Sequence, residues 1–207
     1  MTKSFSYTDL AGDELNRLNK MRGFAEHFTG CSKVLDIGCG RGEFLQALAE
    51  RGIQGFGIDP DTKCITRCAE KGLDVQETDA LAYLSEHAGE YDGIMCSHVI
   101  EHLQSNDAQE LFARCFSGLK PNGLLVIVTP NSKSLSVVAD MFWRDPTHAR
   151  LYPLPLLEIM LAKEGFIIEK KGDTNKPSLH GLKGMLRRYL LGEYFVGTSA
   201  FVIARKK

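Results

Sequence analysis

The chain of 207 residues lacks the features that mark several specialised classes of protein. No apolar run exceeds the length of Leu124–Val128, whereas a membrane-spanning helix needs about 20 apolar residues. The N-terminus has no apolar signal core, so we expect no export and no transmembrane segment. The 25 Lys and Arg residues nearly balance the 26 Asp and Glu residues, which leaves no basic excess for binding nucleic acid.

The six cysteines lack C-x-x-C spacing, and Cys31, Cys39 and Cys96 lie in or beside apolar strand patterns. Free buried thiols of this kind are typical of a reducing compartment, whereas disulfide frameworks are typical of small secreted domains. With 43% hydrophobic residues, the chain is long enough to bury one full core. We therefore predict a single cytoplasmic domain over residues 1–207.

Strand and helix patterns alternate through the first part of the chain. Residues 13–28 have apolar positions at helical spacing, within a predicted N-terminal helical cap over residues 1–30. The strands predicted next are Lys33–Ile37, Gly55–Ile58, Leu73–Glu77, Tyr91–Ser97 and Leu124–Thr129, and the helices are Glu43–Glu50, Thr62–Lys71, Leu81–Glu86 and Asp107–Leu119. This alternation predicts an α/β fold whose mostly parallel sheet is covered by helices on both faces.

The pattern becomes irregular after Pro130. Residues 131–155 hold the only Trp and several prolines, and we predict a lid-like insertion with one helical turn. A second lid-like segment is predicted over residues 172–196. The remaining predicted elements are helix Leu156–Lys163, strand Gly165–Lys170, a polar loop over residues 172–178, a basic amphipathic helix Leu179–Leu191 and a final strand Thr198–Lys206.

The most informative segment is Asp36–Gly42, with the sequence D-I-G-C-G-R-G. Its three alternate glycines allow positive φ and a close approach of the backbone to a ligand beyond the end of a strand. Dinucleotide folds use G-x-G-x-x-G, but residue 43 is Glu, and the carboxylate of Asp36 would repel a phosphate. That carboxylate would instead attract the ammonium and sulfonium groups of S-adenosylmethionine.

Two more acidic residues follow the next two predicted strands. Asp59 ends the second strand, about 20 residues after the loop, where a carboxylate can accept hydrogen bonds from ribose hydroxyls. Asp79 follows the third strand, where it could meet an adenine amino group or act only as a helix N-cap. Together the three acids favour an adenosyl cofactor with a cationic end.

These motifs, together with the fourth-strand segment Tyr91–Leu103 and the strong fifth strand, closely resemble class I S-adenosylmethionine-dependent methyltransferases. The resemblance covers residue 30 to the C-terminus and implies a Rossmann-like sheet of seven strands, with an antiparallel final strand beside the fifth. It implies that the loop binds the methionine end of the cofactor, Asp59 the ribose and Asp79-Ala80 the adenine. The implied cofactor residues are Asp36, Gly38, Cys39, Gly40, Gly42, Asp59, Pro60, Asp79, Ala80, Ser97 and His98.

The segment His98–His102 matches H-x-x-E-H, a zinc-binding pattern of some metalloproteases. Zinc chemistry needs both histidines on one helical face and a third protein ligand. Here the segment begins at the end of a strand, and the family that the chain resembles has Glu-His-Leu at this place without a metal. We therefore expect no metal site.

The acceptor side is predicted from residues 141–153, which follow the fifth strand and hold polar, aromatic and basic side chains together. If the acceptor is a hydroxyl group, a base must take its proton, and His suits neutral pH. His148 with Asp145 is the first candidate, and His102 is the alternative base. Trp143 could stack on a sugar ring, and Arg144 and Arg150 could bind an anionic group. The structural alternative is that Asp145 and His148 only hold the loop together while Trp143 fills the core.

The D-P-T-H segment at residues 145–148 resembles methyltransferases found with polysaccharide and O-antigen synthesis. That resemblance implies O-methylation of a saccharide or a related small hydroxylated molecule. Quinone-type phenols and N-methylation stay open as acceptor chemistries, a non-catalytic cofactor-binding module is the second hypothesis, and a nicotinamide oxidoreductase is the third. The basic helix Leu179–Leu191 could contact an anionic membrane, although packing as a lid is the commoner use of such a helix.

Overall fold

The computed structural model describes residues 14–174, 189–190, 194 and 196–207. Their seven strands are β1 (Lys33–Ile37), β2 (Gln54–Asp59), β3 (Val75–Glu77), β4 (Tyr91–Ser97), β5 (Leu119–Pro130), β6 (Phe166–Thr174) and β7 (Ser199–Lys206). Their seven α-helices are α1 (Glu14–Ala25), α2 (Glu43–Ala49), α3 (Thr62–Glu70), α4 (Ala80–Glu86), α5 (Ser105–Gly118), α6 (Leu135–Ala139) and α7 (Leu154–Lys163). Short 3₁₀ turns cover Glu26–Phe28, Ile100–His102 and Met141–Arg144.

The strands form one sheet in the order β3-β2-β1-β4-β5-β7-β6. β1 to β5 pair in parallel, whereas β7 is antiparallel to both of its neighbours, β5 and β6. The predicted Rossmann-like fold, with an antiparallel final strand beside the fifth, is confirmed. The strand order reverses between β1 and β4, which is where open α/β sheets place their ligands.

Both faces of the sheet are buried under helices. Because successive strand residues point to opposite faces, Leu35 packs in the cluster under α4, α5 and α7, whereas Val34 packs in the cluster under α1 and α2. In the same way Ile127 faces the first cluster and Val126 the second. The fully apolar strand patterns therefore reflect burial on both sides, as in other parallel sheets.

Tertiary pairing corrects two predicted boundaries, the start of β5 and the end of β6. β5 begins at Leu119 because that residue pairs with Tyr91, and an irregularity in register carries the strand across the Asn122 turn. The predicted loop 172–178 starts inside β6, which runs to Thr174 and pairs with β7 through Thr174 and Ser199. A polar strand of this kind has no hydrophobic signal, because main-chain hydrogen bonds hold it at the edge of the sheet.

The insertion 131–155 is more helical than predicted. It contains α6, the 3₁₀ turn Met141–Arg144 and the first residues of α7, where one helical turn was expected. The N-terminal cap contains α1 within the described residues. The predicted helix Leu179–Leu191 lies outside the described residues except for 189–190, and the single domain over 1–207 stays a prediction. None of the described helices has the length and hydrophobicity needed to cross a lipid bilayer.

Candidate active site

A cavity of about 550 Å³ opens at the carboxyl ends of β1, β2, β3 and β4. This volume is in the range of small-molecule sites. All of the predicted cofactor residues except Gly42 line it: Asp36, Gly38, Cys39, Gly40, Asp59, Pro60, Asp79, Ala80, Ser97 and His98. The topology of the sheet thus brings four separate parts of the chain to one site.

The glycine loop wraps the end of β1. Gly38, Gly40 and Gly42 have φ values of +67°, +54° and +81°, a region that side chains with a Cβ rarely enter. The amides of Gly38 and Cys39 both donate to the carbonyl of Ile58, at 2.8 and 3.0 Å, which fixes the loop against β2. Gly42 lies just before α2 as its N-cap, so its role is to turn the chain into the helix.

Asp36 is the acidic group at the base of the loop. Its side chain is buried, and burial raises the pKa of this carboxyl well above its usual value, with the nearby Asp59 and Glu43 acting in the same direction. A buried carboxyl among other acids is stabilised when a cation lies beside it. The position therefore fits the cationic end of a cofactor.

Asp59 connects the glycine loop to the turn after β2. Its Oδ2 accepts a hydrogen bond from the amide of Gly40 (2.9 Å), and its Oδ1 accepts one from the amide of Asp61 (2.8 Å). Burial raises the pKa of Asp59, and these two hydrogen bonds act against that rise. A carboxylate has about four acceptor positions, so it can also accept from the hydroxyls of a ribose.

Asp79 is the N-cap of α4 and also borders the cavity. Its Oδ1 accepts hydrogen bonds from the amides of Leu81 (2.9 Å) and Ala82 (3.2 Å), as the N-cap of α4. The same residue lines the cavity. Capping fixes the side chain where it borders the site, so the two roles are compatible.

A buried carboxylate organises the segment after β4. His98, which adopts the unusual φ of +57°, places its Nδ1 2.9 Å from Oε1 of Glu101, and the Thr129 hydroxyl donates to Oε2 (3.1 Å). Burial raises the pKa of Glu101, but the hydrogen bond and charge of His98, together with smaller contributions from the backbone and His102, lower the pKa overall. Positive φ at a residue with a side chain is common at functional sites.

The insertion is fastened to this same segment. The backbone carbonyl of Glu101 accepts hydrogen bonds from the amides of Ala149 (2.7 Å) and Arg150 (3.2 Å). The hydroxyl of Tyr152 donates to the carbonyl of Leu103 (2.8 Å). The residues after the D-P-T-H segment are thereby held beside His102.

His102 is the histidine that borders both the cavity and the insertion. It lines the cavity, and its Nδ1 lies 2.9 Å from the Thr147 hydroxyl oxygen. Its ring centroid is 4.7 Å from that of His148, whose Nδ1 is 2.6 Å from the carbonyl of Phe142. Burial lowers the pKa of His102 below its usual value, so the ring is neutral at pH 7. A neutral imidazole at the cavity wall can accept a proton.

The other residues predicted for the acceptor side do not line the cavity. The described lining contains none of Asp145, His148, Trp143, Arg144 or Arg150. Asp145 is buried and accepts from the amide and hydroxyl of Thr147. His148 lies next to His102, with 4.7 Å between the ring centroids, but only His102 lines the cavity, and His148 as the base stays a prediction.

The two arginines and the tryptophan have partners inside the insertion or next to it. Arg144 forms an ion pair with Asp140, and Arg150 donates to the hydroxyl of Ser105. Trp143 is 68% exposed, with its indole N–H donating to the carbonyl of Val138 (2.8 Å). The alternative in which Trp143 fills the core is wrong. The aromatic face is presented to solvent and is fixed by that hydrogen bond.

Glu101, His102 and His148 have metal-ligating atoms within 4.8 Å of one another, a density found in no other group of the described residues. The carboxylate of Glu101 already binds His98 and Thr129. Hydrogen bonding thus accounts for part of this clustering without a metal. The absence of a metal site stays a prediction.

The site also has walls that the motifs did not indicate. Arg17 and Met21 of α1 line the cavity, and Arg17 forms an ion pair with Glu43 (2.8 Å) at the start of α2. Val99, Leu103 and Leu111 form apolar wall near His102. The helical spacing of residues 13–28 was the available signal for α1, but it predicts a buried face without saying what that face covers.

Fold and site together define an α/β protein with a cofactor cavity at the switch point of its sheet. A family model described as a methyltransferase domain matches residues 8–171 of the chain. A solved S-adenosylmethionine-dependent methyltransferase from Archaeoglobus fulgidus is 30% identical, with a TM-score of 0.83 over 94% of this chain and 95% of that one. The chain therefore belongs to the methyltransferase-domain family and is an S-adenosylmethionine-dependent methyltransferase of class I.

Curated relatives match a shorter part of the chain. A ubiquinone biosynthesis O-methyltransferase of Caulobacter vibrioides is 38% identical over 104 residues, which cover 47% of this chain and 40% of the relative. The Escherichia coli enzyme of that name is 33% identical over 141 residues, which cover 62% of this chain and 58% of the relative. The matched region thus spans about half the length of these relatives.

The residues at the cavity fit S-adenosylmethionine. Asp36 offers a buried carboxyl, and the glycine loop leaves space at φ values that other residues avoid. Asp59 and Asp79 follow the two neighbouring strands and line the same cavity. Bound here, the cofactor supplies a methyl group activated by a sulfonium.

Proposed function

We propose that the chain is an O-methyltransferase that acts on a hydroxyl group of a small acceptor, with His102 as the general base. The observation that carries the proposal is that His102 lines the cavity as a neutral imidazole whose Nδ1 is bound on the far side by the insertion. Asp36 and the glycine loop bind the methionine end of the cofactor in this proposal, Asp59 the ribose and Asp79 the adenine. His102 takes the proton of the acceptor hydroxyl as its oxygen becomes methylated.

The first acceptor class proposed is a saccharide. A row of ring contacts leads outward from the cavity, from His102 to His148 (4.7 Å), to Phe142 (4.5 Å) and to the exposed Trp143 (5.1 Å). A fixed indole face at the end of this row offers a stacking surface for a sugar ring beyond the one that is methylated. The resemblance of the D-P-T-H segment to polysaccharide-associated enzymes supports the same class.

A quinone-type phenol is the second candidate. The wall beside His102 contains Val99, Leu103 and Leu111, which suit an aromatic ring better than a polyhydroxylated one. The names of the curated relatives from Caulobacter vibrioides and Escherichia coli support this class. The two classes differ in which surface binds the acceptor: the exposed indole or the apolar wall.

Acceptor screening with matched variants tests the proposal. Release of S-adenosylhomocysteine is measured with oligosaccharides, sugar phosphates and catechols. The proposal expects His102→Gln to lower kcat about 100-fold, because general-base catalysis contributes on the order of 10² to 10⁴. His27→Gln, at an exposed histidine of the N-terminal region, is the control and keeps the wild-type rate. Trp143→Ala lowers kcat/KM for the saccharide alone. Full activity of His102→Gln with every acceptor would refute the assignment of the base.

The same assay has a predicted pH dependence. Because burial lowers the pKa of His102 from its usual 6.5, the folded ring loses its proton at a lower pH than a free histidine does. We expect kcat to rise with pH on the acid side and to reach half of its plateau value below pH 6.5. The pH profile of kcat in buffers of constant ionic strength measures this. A profile that still rises between pH 8 and pH 10 would point to another group.

A further inference from the structure

The hydroxyl of Thr147 bridges two side chains of the site. It donates to Oδ1 of Asp145 at 2.6 Å, and its oxygen lies 2.9 Å from Nδ1 of His102. Asp145 is buried, whereas Thr147 is exposed at the surface of the insertion. A buried carboxylate, a hydroxyl and a cavity-lining imidazole therefore form one continuous chain of hydrogen bonds.

The direction of the hydrogen bonds follows from the chemistry of the groups. Burial raises the pKa of Asp145, but the two hydrogen bonds from Thr147, together with the nearby His148 and His102, lower the pKa overall, so the carboxylate is ionised and can only accept. The Thr147 hydroxyl has a single hydrogen, which it donates in the hydrogen bond to Asp145. The Thr147 oxygen must then accept from His102, which requires the proton of the neutral ring to be on Nδ1.

We propose that Thr147 is a positioning residue that holds His102 in the tautomer with its lone pair on Nε2. The inference rests on the proposed function, in which His102 is the base. The proton of the acceptor hydroxyl goes to Nε2, the electron pair of that O–H bond stays on the acceptor oxygen, and the imidazolium later returns its proton to water. Asp145 keeps its charge throughout and stabilises the imidazolium through the hydroxyl.

The charged and titratable side chains around His102 have hydrogen bonds of their own. The charged and titratable groups that face the ring are Glu101, His148 and Asp145. The carboxylate of Glu101 is directed to His98 and Thr129, and Nδ1 of His148 is held by the Phe142 carbonyl. Thr147 thus supplies the hydrogen bond at Nδ1 that selects the tautomer, as orienting partners do for histidines in other sites.

The test reads the tautomer directly. Protein labelled with ¹⁵N-histidine is studied at pH 7.5 by long-range ¹H–¹⁵N correlation, and the His102 signals are assigned by their loss in His102→Gln. Wild type and Thr147→Ser are expected to show the Nδ1–H form. Thr147→Val, of nearly the same shape but without a hydroxyl, is expected to populate the Nε2–H form. Thr66→Val is the matched control, because the Thr66 hydroxyl donates to the Thr62 carbonyl on exposed helix α3.

The outcomes separate this inference from the proposed function. An unchanged His102 tautomer in Thr147→Val overturns the inference, whatever the activity. A changed tautomer supports it, and kcat for the screened acceptor is then expected to fall about tenfold with KM unchanged, the lower end of what an orienting partner contributes. If His102→Gln retains full activity while Thr147→Val changes the tautomer, the proposed base is wrong and the positioning of the ring stands.

Discussion

Among single residues, Asp36 shows a conflict between stability and binding. The carboxyl is only 3% exposed, and burial raises its pKa well above the ordinary 3.8. A group whose pKa is raised by folding favours the folded state at low pH and opposes it as the pH rises through its folded pKa. At neutral pH, ionisation of this buried carboxyl therefore destabilises the cofactor-free protein, and a bound cation offsets the loss of stability.

This conflict predicts opposite effects of one substitution. We expect Asp36→Asn to raise the Tm of the cofactor-free protein at pH 7 and to weaken the binding of S-adenosylmethionine at least about tenfold, or about 1.4 kcal/mol. Thermal unfolding and isothermal titration calorimetry measure the two effects. Asp74→Asn, at an exposed aspartate, is the control and changes neither. Loss of stability together with unchanged affinity would contradict the role of Asp36.

At the scale of elements, the glycine loop depends on its contacts as well as on its φ values. A Cβ on Gly38 would lie 2.5 Å from Cγ2 of Val99, a residue of the segment that also carries His98 and His102. A Cβ on Gly52, with a similar φ of +69°, would meet no atom within 4 Å. A side chain at either position would strain the backbone. Only at Gly38 would it also clash with Val99, in the segment that carries His102.

We expect Gly38→Ala to destabilise the fold by about 2 to 4 kcal/mol, from strain of about 1 to 2 kcal/mol plus the displacement of Val99. Gly52→Ala is expected to cost only the strain. Urea unfolding measures both, and cofactor titration is expected to show weaker binding for Gly38→Ala alone. Equal losses of stability in the two variants would show that the contact with Val99 is unimportant.

The elements that could be predicted are those with a local signal. The sequence predicts β1 and β4 with the bounds Lys33–Ile37 and Tyr91–Ser97 that the structure has, because both strands have a buried, mostly apolar centre. The start of β5 at Leu119 and the end of β6 at Thr174 had no such signal. Both depend on partners far away in sequence, Tyr91 and Ser199.

In the whole molecule, the insertion and the sheet share one buried network around Glu101. Its carboxylate binds His98 and Thr129, and its carbonyl holds the amides of Ala149 and Arg150. Hydrogen bonds lower the pKa of Glu101 despite its burial, whereas burial itself lowers the pKa of His102. Groups with a lowered pKa stabilise the fold at higher pH and cease to do so as the pH falls.

The lowered pKa of His102 predicts how the stability of the fold changes under acid conditions. Unfolded His102 takes up a proton near pH 6.5, before the folded ring does, so its contribution to stability falls from that pH downward. The raised pKa of Asp36 makes stability change with pH in the opposite direction. Because wild type and His102→Gln both contain Asp36, the difference between their Tm values isolates the contribution of His102. We expect the Tm of wild type relative to His102→Gln to decrease by about 2 °C between pH 7 and pH 5. A constant difference in calorimetric scans would contradict this.

The cofactor side of this protein was determined by its sequence. Asp36, the alternate glycines, Asp59 and Asp79 each follow a strand signal within a few residues, so local pattern and the rule for ligands at parallel strand ends placed them at one cavity. The acceptor side was decided by the tertiary structure. Which histidine borders the cavity depends on how residues 145–152 pack on the segment after β4, through hydrogen bonds across more than 40 residues of chain. No periodicity in the sequence records such contacts. For that reason the sequence indicates His102 only as an alternative to His148, and the contact between His102 and Thr147 is seen only in the folded arrangement.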